Sequence, residues 1–104
     1  MAPGITGTAQ DGQTLTAGAG TWTGTAPISY AFQWLRCDTS GNNCVTISSA
    51  TDDAYSATEN DQGKTLRARV TARNGGGSES VLASQTAVVG APATPVSYAG
   101  VARR

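Results

Sequence analysis

The chain has no histidine, and only two cysteines and one methionine among its 104 residues. Without histidine there can be no Ser-His-Asp or Cys-His arrangement. A closed structural zinc site commonly takes four Cys or His ligands, so the two cysteines would need carboxylates or a second chain. Charged residues make up 13% of the chain, well below the usual share of about a quarter. Acids and bases balance at seven each, and a neutral chain has no global field to draw in nucleic acid or an anionic membrane. Apolar residues, at 38%, are also scarce, and no apolar run is long enough to span a bilayer. The opening "MAPGITGTAQ" lacks the basic-then-apolar order of a signal peptide. It fits either a piece of a larger secreted protein or a whole protein that never used that route. No P-loop or Rossmann fingerprint is present. The expectation is a protein that is not an enzyme, with no catalytic residue, cofactor or metal site, no nucleic-acid partner, no membrane insertion and no small-molecule ligand.

What is there in quantity is Ala, Thr, Ser and glycine, the last at 13 residues. Small and β-branched residues with many glycines favour short strands and tight turns. "PGITGTA" and "QTLTAGA" flank Asp11-Gly12, a turn signal. "SYAFQWLRC" alternates, with Tyr30, Phe32 and Trp34 on one face. "CVTIS" places Val45 and Ile47 on one face, and "DAYSAT" offers Tyr55 and Ala57. "KTLRARVTARN" is the cleanest strand: Leu66, Ala68, Val70 and Ala72 point one way, Arg67, Arg69, Thr71 and Arg73 the other. Period two marks a half-buried strand. "NGGGS", Asn74 to Ser78, is a hairpin loop. Its glycines do not open a helix, so phosphate cradling is disfavoured. "SESVLASQTAVV" returns as the last strand. After Val89 the composition shifts: "GAPATPVSYAGVARR" holds two of the four prolines and lacks alternation, as a linker or tail does. The division is a folded domain over 1–89 and a tail over 90–104.

Trp34 in the third strand, the Asp-x-Gly turn of "ENDQGKTLRARVTARN" and the glycine-rich hairpin after it belong together with "ITGTAQDGQTLTAGAGTWTG" and "YAFQWLRCDTSGNNCVTI". From about Pro3 to Val89 the chain resembles a bacterial immunoglobulin-like module. Such modules occur as tandem repeats in surface and secreted proteins, and similar domains ornament bacteriophage capsids and tails. The resemblance implies an all-β, immunoglobulin-like β-sandwich of about seven strands in two antiparallel sheets. One departure stands out. Antibody-type domains bridge the second and sixth strands through the core, but neither strand has a cysteine here, and Ala68 stands where the sixth-strand partner would be.

Cys37 ends one strand and Cys44 begins the next, with "DTSGNN" between them. A redox pair of thioredoxin type is spaced Cys-x-x-Cys near a βαβ unit, and this pair is neither. Paired strands bring such residues within disulfide reach, so a local hairpin disulfide is expected, with an oxidising environment. Arg67, Arg69 and Arg73, joined by Arg36 from the neighbouring strand, form a candidate interaction surface, since arginine is favoured at interfaces. The preferred reading of the row is nonetheless a solvated outer face that keeps the sheet soluble. Trp22 is either a rim packing residue or a platform for a sugar. Asp52-Asp53 and Glu59-Asn60-Asp61 fit turn chemistry better than a calcium loop. The tail supplies Val96, Tyr98 and Val101, a candidate docking segment for a sheet edge or a neighbouring subunit. The functional expectation is a structural or adhesive module, extracellular or on a cell surface, whose partner is a protein or a neighbouring module. The alternative is a virion decoration protein, which a Met-initiated chain without a signal peptide would fit.

Overall fold

Alternation in the sequence becomes seven strands in the computed structural model, which describes residues 2–93. They are β1 (Gly4–Thr6), β2 (Thr14–Gly18), β3 (Ser29–Cys37), β4 (Val45–Thr46), β5 (Ala54–Ser56), β6 (Thr65–Asn74) and β7 (Gly77–Leu82), with one 3₁₀ turn at Glu59–Asp61. Two sheets form, in the orders β1-β2-β5 and β4-β3-β6-β7, and every pairing between these strands is antiparallel. This is the two-sheet sandwich expected from the sequence. Among the described residues no helix is long and apolar enough to cross a membrane.

The turns follow from their residues. At Asp11-Gly12 the Gln13 amide donates to the Gln10 carbonyl at 3.0 Å, and Gly12 takes a φ of 91° that a side chain would resist. The β6–β7 hairpin closes tightly, because Asn74 pairs directly with Gly77. Its Oδ1 accepts from the Gly76 amide at 2.8 Å.

The core lies between the sheets. Trp34, Leu66, Ala68 and Val70 are fully buried, with Leu15 and Val89 nearly so. Four alanines, Ala17, Ala57, Ala68 and Ala83, belong to the cluster around Trp34. Packed sheets stand about 10 Å apart, so one indole fills the gap only where the facing positions are small. Tyr55 stacks on Trp34 with ring centroids 5.6 Å apart, and the indole N–H donates to the Asp52 carbonyl at 2.8 Å. Burying such an aromatic contributes on the order of 2–3 kcal/mol.

Two expectations need correction. Val45 and Ile47 do not share burial: Ile47 packs on the core, while Val45 is 59% exposed. The reason is that β4 is only two residues long and sits at the sheet edge. The end of the folded domain also lies beyond Val89. After Leu82 the chain stays bonded to β6 and the turn before it, Ala83 N–H to Ala68 O at 2.8 Å, Thr86 N–H to Leu66 O at 2.9 Å and Val89 N–H to Lys64 O at 2.8 Å. Gly90 then crosses to a parallel bridge with Gln10. It donates to Ala9 O at 3.1 Å and accepts from Asp11 N–H at 3.0 Å. The tail begins no earlier than Ala91.

Candidate interaction surface

The two sheets are unequal in length. β3 has nine residues and β6 ten, but the facing β2 has five, and β1 and β5 three each. At about 3.3 Å per residue, the longer sheet extends beyond the shorter by some 15 Å. Exposure along the inner face of β3 follows: Trp34 is buried, Phe32 half-buried and Tyr30 42% exposed. The loop before β3 folds over this overhang. Its Trp22 is half-buried, donates from Nε1 to the Ala19 carbonyl at 2.6 Å, and sits tilted on Tyr30 at 6.5 Å. Asn74 pins the hairpin to the same loop through Nδ2 to Thr25 O at 3.1 Å.

Loop, hairpin and N-terminal segment leave an open groove of about 880 Å³ between them. Trp22 and Ile28 line one side, Ala72, Glu79 and Val81 the sheet side, and Ala2 and Pro3 a third. Cross-strand partners share a face. Glu79 pairs with Ala72 and Val81 with Val70, so this carboxylate stands on the inner, core-side face although it is exposed. Among the described residues it has no ion pair. Arg73 pairs with Ser29 and Ser78, so its side chain leaves from the outer face at the groove's rim. The groove lies at the pole where β6 ends. Gly90 leaves at the pole where β6 begins, about 33 Å away along ten residues.

The arginine row does not survive as a set of four. Arg36 pairs with Leu66, whereas Arg67 pairs with Leu35, so Arg36 stands on the opposite face from Arg67 and Arg69. Its Nε donates to Asp61 Oδ1 at 2.6 Å. Arg67 is on the outer face but engaged: Nε donates to Ala83 O at 2.9 Å and Nη1 to Gly41 O at 3.2 Å. It ties the β3–β4 loop to the segment just after β7 and is half-buried, although its parity points it outward. Arg69 is also half-buried and Arg73 exposed. Among the described residues neither guanidinium makes an ion pair. Leu66, Ala68, Val70 and Ala72 are buried, as their alternation requires.

Asp61 is fully buried and fully engaged. Its Oδ2 accepts from the Tyr55 hydroxyl at 2.6 Å and the Thr58 amide at 2.8 Å, and Thr58 and Asp61 together form a capping box on the 3₁₀ turn. Burial alone would raise its pKa; the Tyr55, Thr58 and Arg36 donors outweigh that and hold the carboxyl below the ordinary 3.8. The Tyr55 phenol is pushed up by burial and by the adjacent carboxylate. Asp61 therefore orders the bend before β6, as the turn reading of the acidic run had it.

Cys37 and Cys44 are bonded to each other, as expected. Their loop is organised by Asp38, whose carboxylate accepts from the Ser40 and Asn42 amides at 2.9 Å each and from Asn43 Nδ2 at 2.7 Å. The Asn42 amide, then the Asn43 side chain, lower its pKa. Gly41 has a φ of 80°, and a Cβ there would meet the Gln85 side chain at 2.7 Å. Among the described residues no group of three or more His, Cys, Asp or Glu side chains could hold a metal ion. Val96, Tyr98 and Val101 lie outside the described residues.

The groove residues Glu79, Ile28 and Asn74 were not singled out by the sequence. For Glu79 a signal existed: in "SESVL" it stands two residues before Val81, an acid on the apolar parity. A family model described as the AIR9 A9 domain matches residues 3–83, which span both sheets, the disulfide and all of the groove lining but Ala2. No curated protein matches the chain. With its two antiparallel sheets and a match over most of its length, the chain belongs to the AIR9 A9 domain family, and its fold is immunoglobulin-like.

Proposed function

We propose that the domain is a non-catalytic interaction and spacing module of an exported protein, of the kind repeated along bacterial surface and secreted proteins, and that it touches its neighbour at the groove pole. The observation that carries this reading is the groove itself. A half-buried Trp22, apolar Ile28 and Val81 and the carboxylate of Glu79, free of ion pairs among the described residues, meet in one open concavity, a combination suited to a protein segment. The remaining polar clusters support a structural scaffold. Asp61, Arg36 and Arg67 are held in internal bonds, as ties within a scaffold would be. The disulfide supports an oxidising compartment. The chain enters at one pole and leaves at the other, the geometry a string of modules requires.

The test is site-specific photo-crosslinking in the native assembly, with a photoreactive side chain at position 79 in one protein and at position 59, on the opposite pole, in another. Adducts concentrated at 79 support the reading. Adducts absent from 79 but abundant at 59 overturn it. The identity of the captured protein also discriminates. Surface or secreted proteins favour the first reading, and capsid or tail proteins would make the domain a virion ornament instead.

A further inference from the structure

We propose that the groove receives the C-terminal segment, residues 94–104, of a second copy of this chain, so that copies join head to tail. The proposal rests on the reading of this pole as a contact surface and names its occupant.

Charge is the first argument. Residues 1–93 hold all seven acids but only five of the seven bases. The other two are Arg103 and Arg104, in a segment with no acid of its own. The groove's acid is Glu79, on the core-side face and without an ion pair among the described residues, while Arg73, equally without one, lines the rim from the outer face, so the complementarity is local to Glu79. An arginine pairs with a carboxylate through two parallel N–H bonds and is attracted to the face of an indole such as Trp22. The apolar complement matches as well. Val96, Tyr98 and Val101 precede the arginines, and Ile28 and Val81 line the groove.

Reach is the second argument, and it selects a second copy. From Gly90 to Tyr98 the chain advances eight residues, which span at most roughly 26–29 Å. Crossing back along β6 to the chain's own groove takes about 33 Å. Val96 and Tyr98 therefore fall short of the chain's own groove. The neighbouring copy imposes no such crossing. Because donor and acceptor lie at opposite poles, the contact is heterologous and propagates as an open string.

Sedimentation velocity of the full chain over a concentration series, at low salt, is the experiment. The mass should rise with concentration and pass beyond a dimer. Added salt should weaken the association, since the pairing is charged and near the surface. Glu79→Lys should weaken it about tenfold or more, and so should Arg103→Glu with Arg104→Glu. Combining the swaps should recover most of the loss. Glu79 is exposed, so an unchanged far-ultraviolet spectrum is expected and separates lost contact from lost fold. A chain that stays monomeric throughout overturns the proposal, as do folded charge-swap variants that associate like the parent. A monomer that still crosslinks from position 79 in the native assembly would remove the second copy as occupant and leave the contact reading standing.

Discussion

Asp61 shows how much of this domain depends on single polar contacts. Its carboxylate is buried and satisfied by Tyr55, Thr58 and Arg36, so its pKa lies below the unfolded value. A depressed carboxyl contributes stability that is fully present above the unfolded pKa of about 4 and is lost as pH falls through the folded one. Acid titration of the melting temperature should therefore show a decline beginning below about pH 4. Asp61→Asn should cost about 2–4 kcal/mol at neutral pH, because it leaves the Arg36 guanidinium without its counter-charge. The variant's decline in acid should be shallower than the parent's; an equally steep one would mean other carboxylates set the acid limit. The partnership of Asp61 with Arg36 was not legible in the sequence, since 25 residues separate them. The inward parity of Arg36 was: it stands two residues after Trp34. Its charge suggested the outer face, and a buried counter-ion reversed that.

At the level of elements, β6 separates packing from surface most sharply. Val70 is fully buried, Arg67 is tied to two carbonyls, and Arg69 has no ion pair among the described residues. Val70→Asp should cost on the order of 3–5 kcal/mol as an unpaired buried charge. Arg67→Ser should cost about 1–2 kcal/mol through its two lost bonds, and Arg69→Ser about half a kcal/mol. Urea unfolding of the three variants checks the order, and a serine at 69 more damaging than one at 67 would contradict the face assignments. Strict alternation made the faces of β6 legible. The engagement of Arg67 was not, because its acceptors, Ala83 and Gly41, come from two distant segments. The short edge strand β4 was likewise hidden, since an apolar residue such as Val45 carries no mark of lying at an edge.

For the whole molecule, the succession of short strands and the local disulfide followed from patterning and spacing, but the groove could not. It arises from the unequal lengths of two sheets, which no single strand encodes. The end of the domain was legible only to within a residue or two, because the bridge from Gly90 to Gln10 is made by backbone and leaves no trace in side chains. Truncation tests it: ending the chain after Ala93 should leave the melting temperature unchanged, while ending it after Val89 should lower it by several degrees, given the bonds from Gly90 to Ala9 and Asp11. Equal melting of the two truncated proteins would show that the bridge contributes nothing. The central claim, that the groove pole is the contact surface of an otherwise closed sandwich, can be read from two resonances. The indole N–H of Trp22 lines that pole, and the indole N–H of Trp34 is sealed in the core against Asp52. In a dilution series of the full chain followed by proton–nitrogen correlation spectra, the Trp22 signal should shift with concentration while the Trp34 signal stays fixed. A fixed Trp22 signal, with shifts instead around Arg69 on the outer face, would contradict the account.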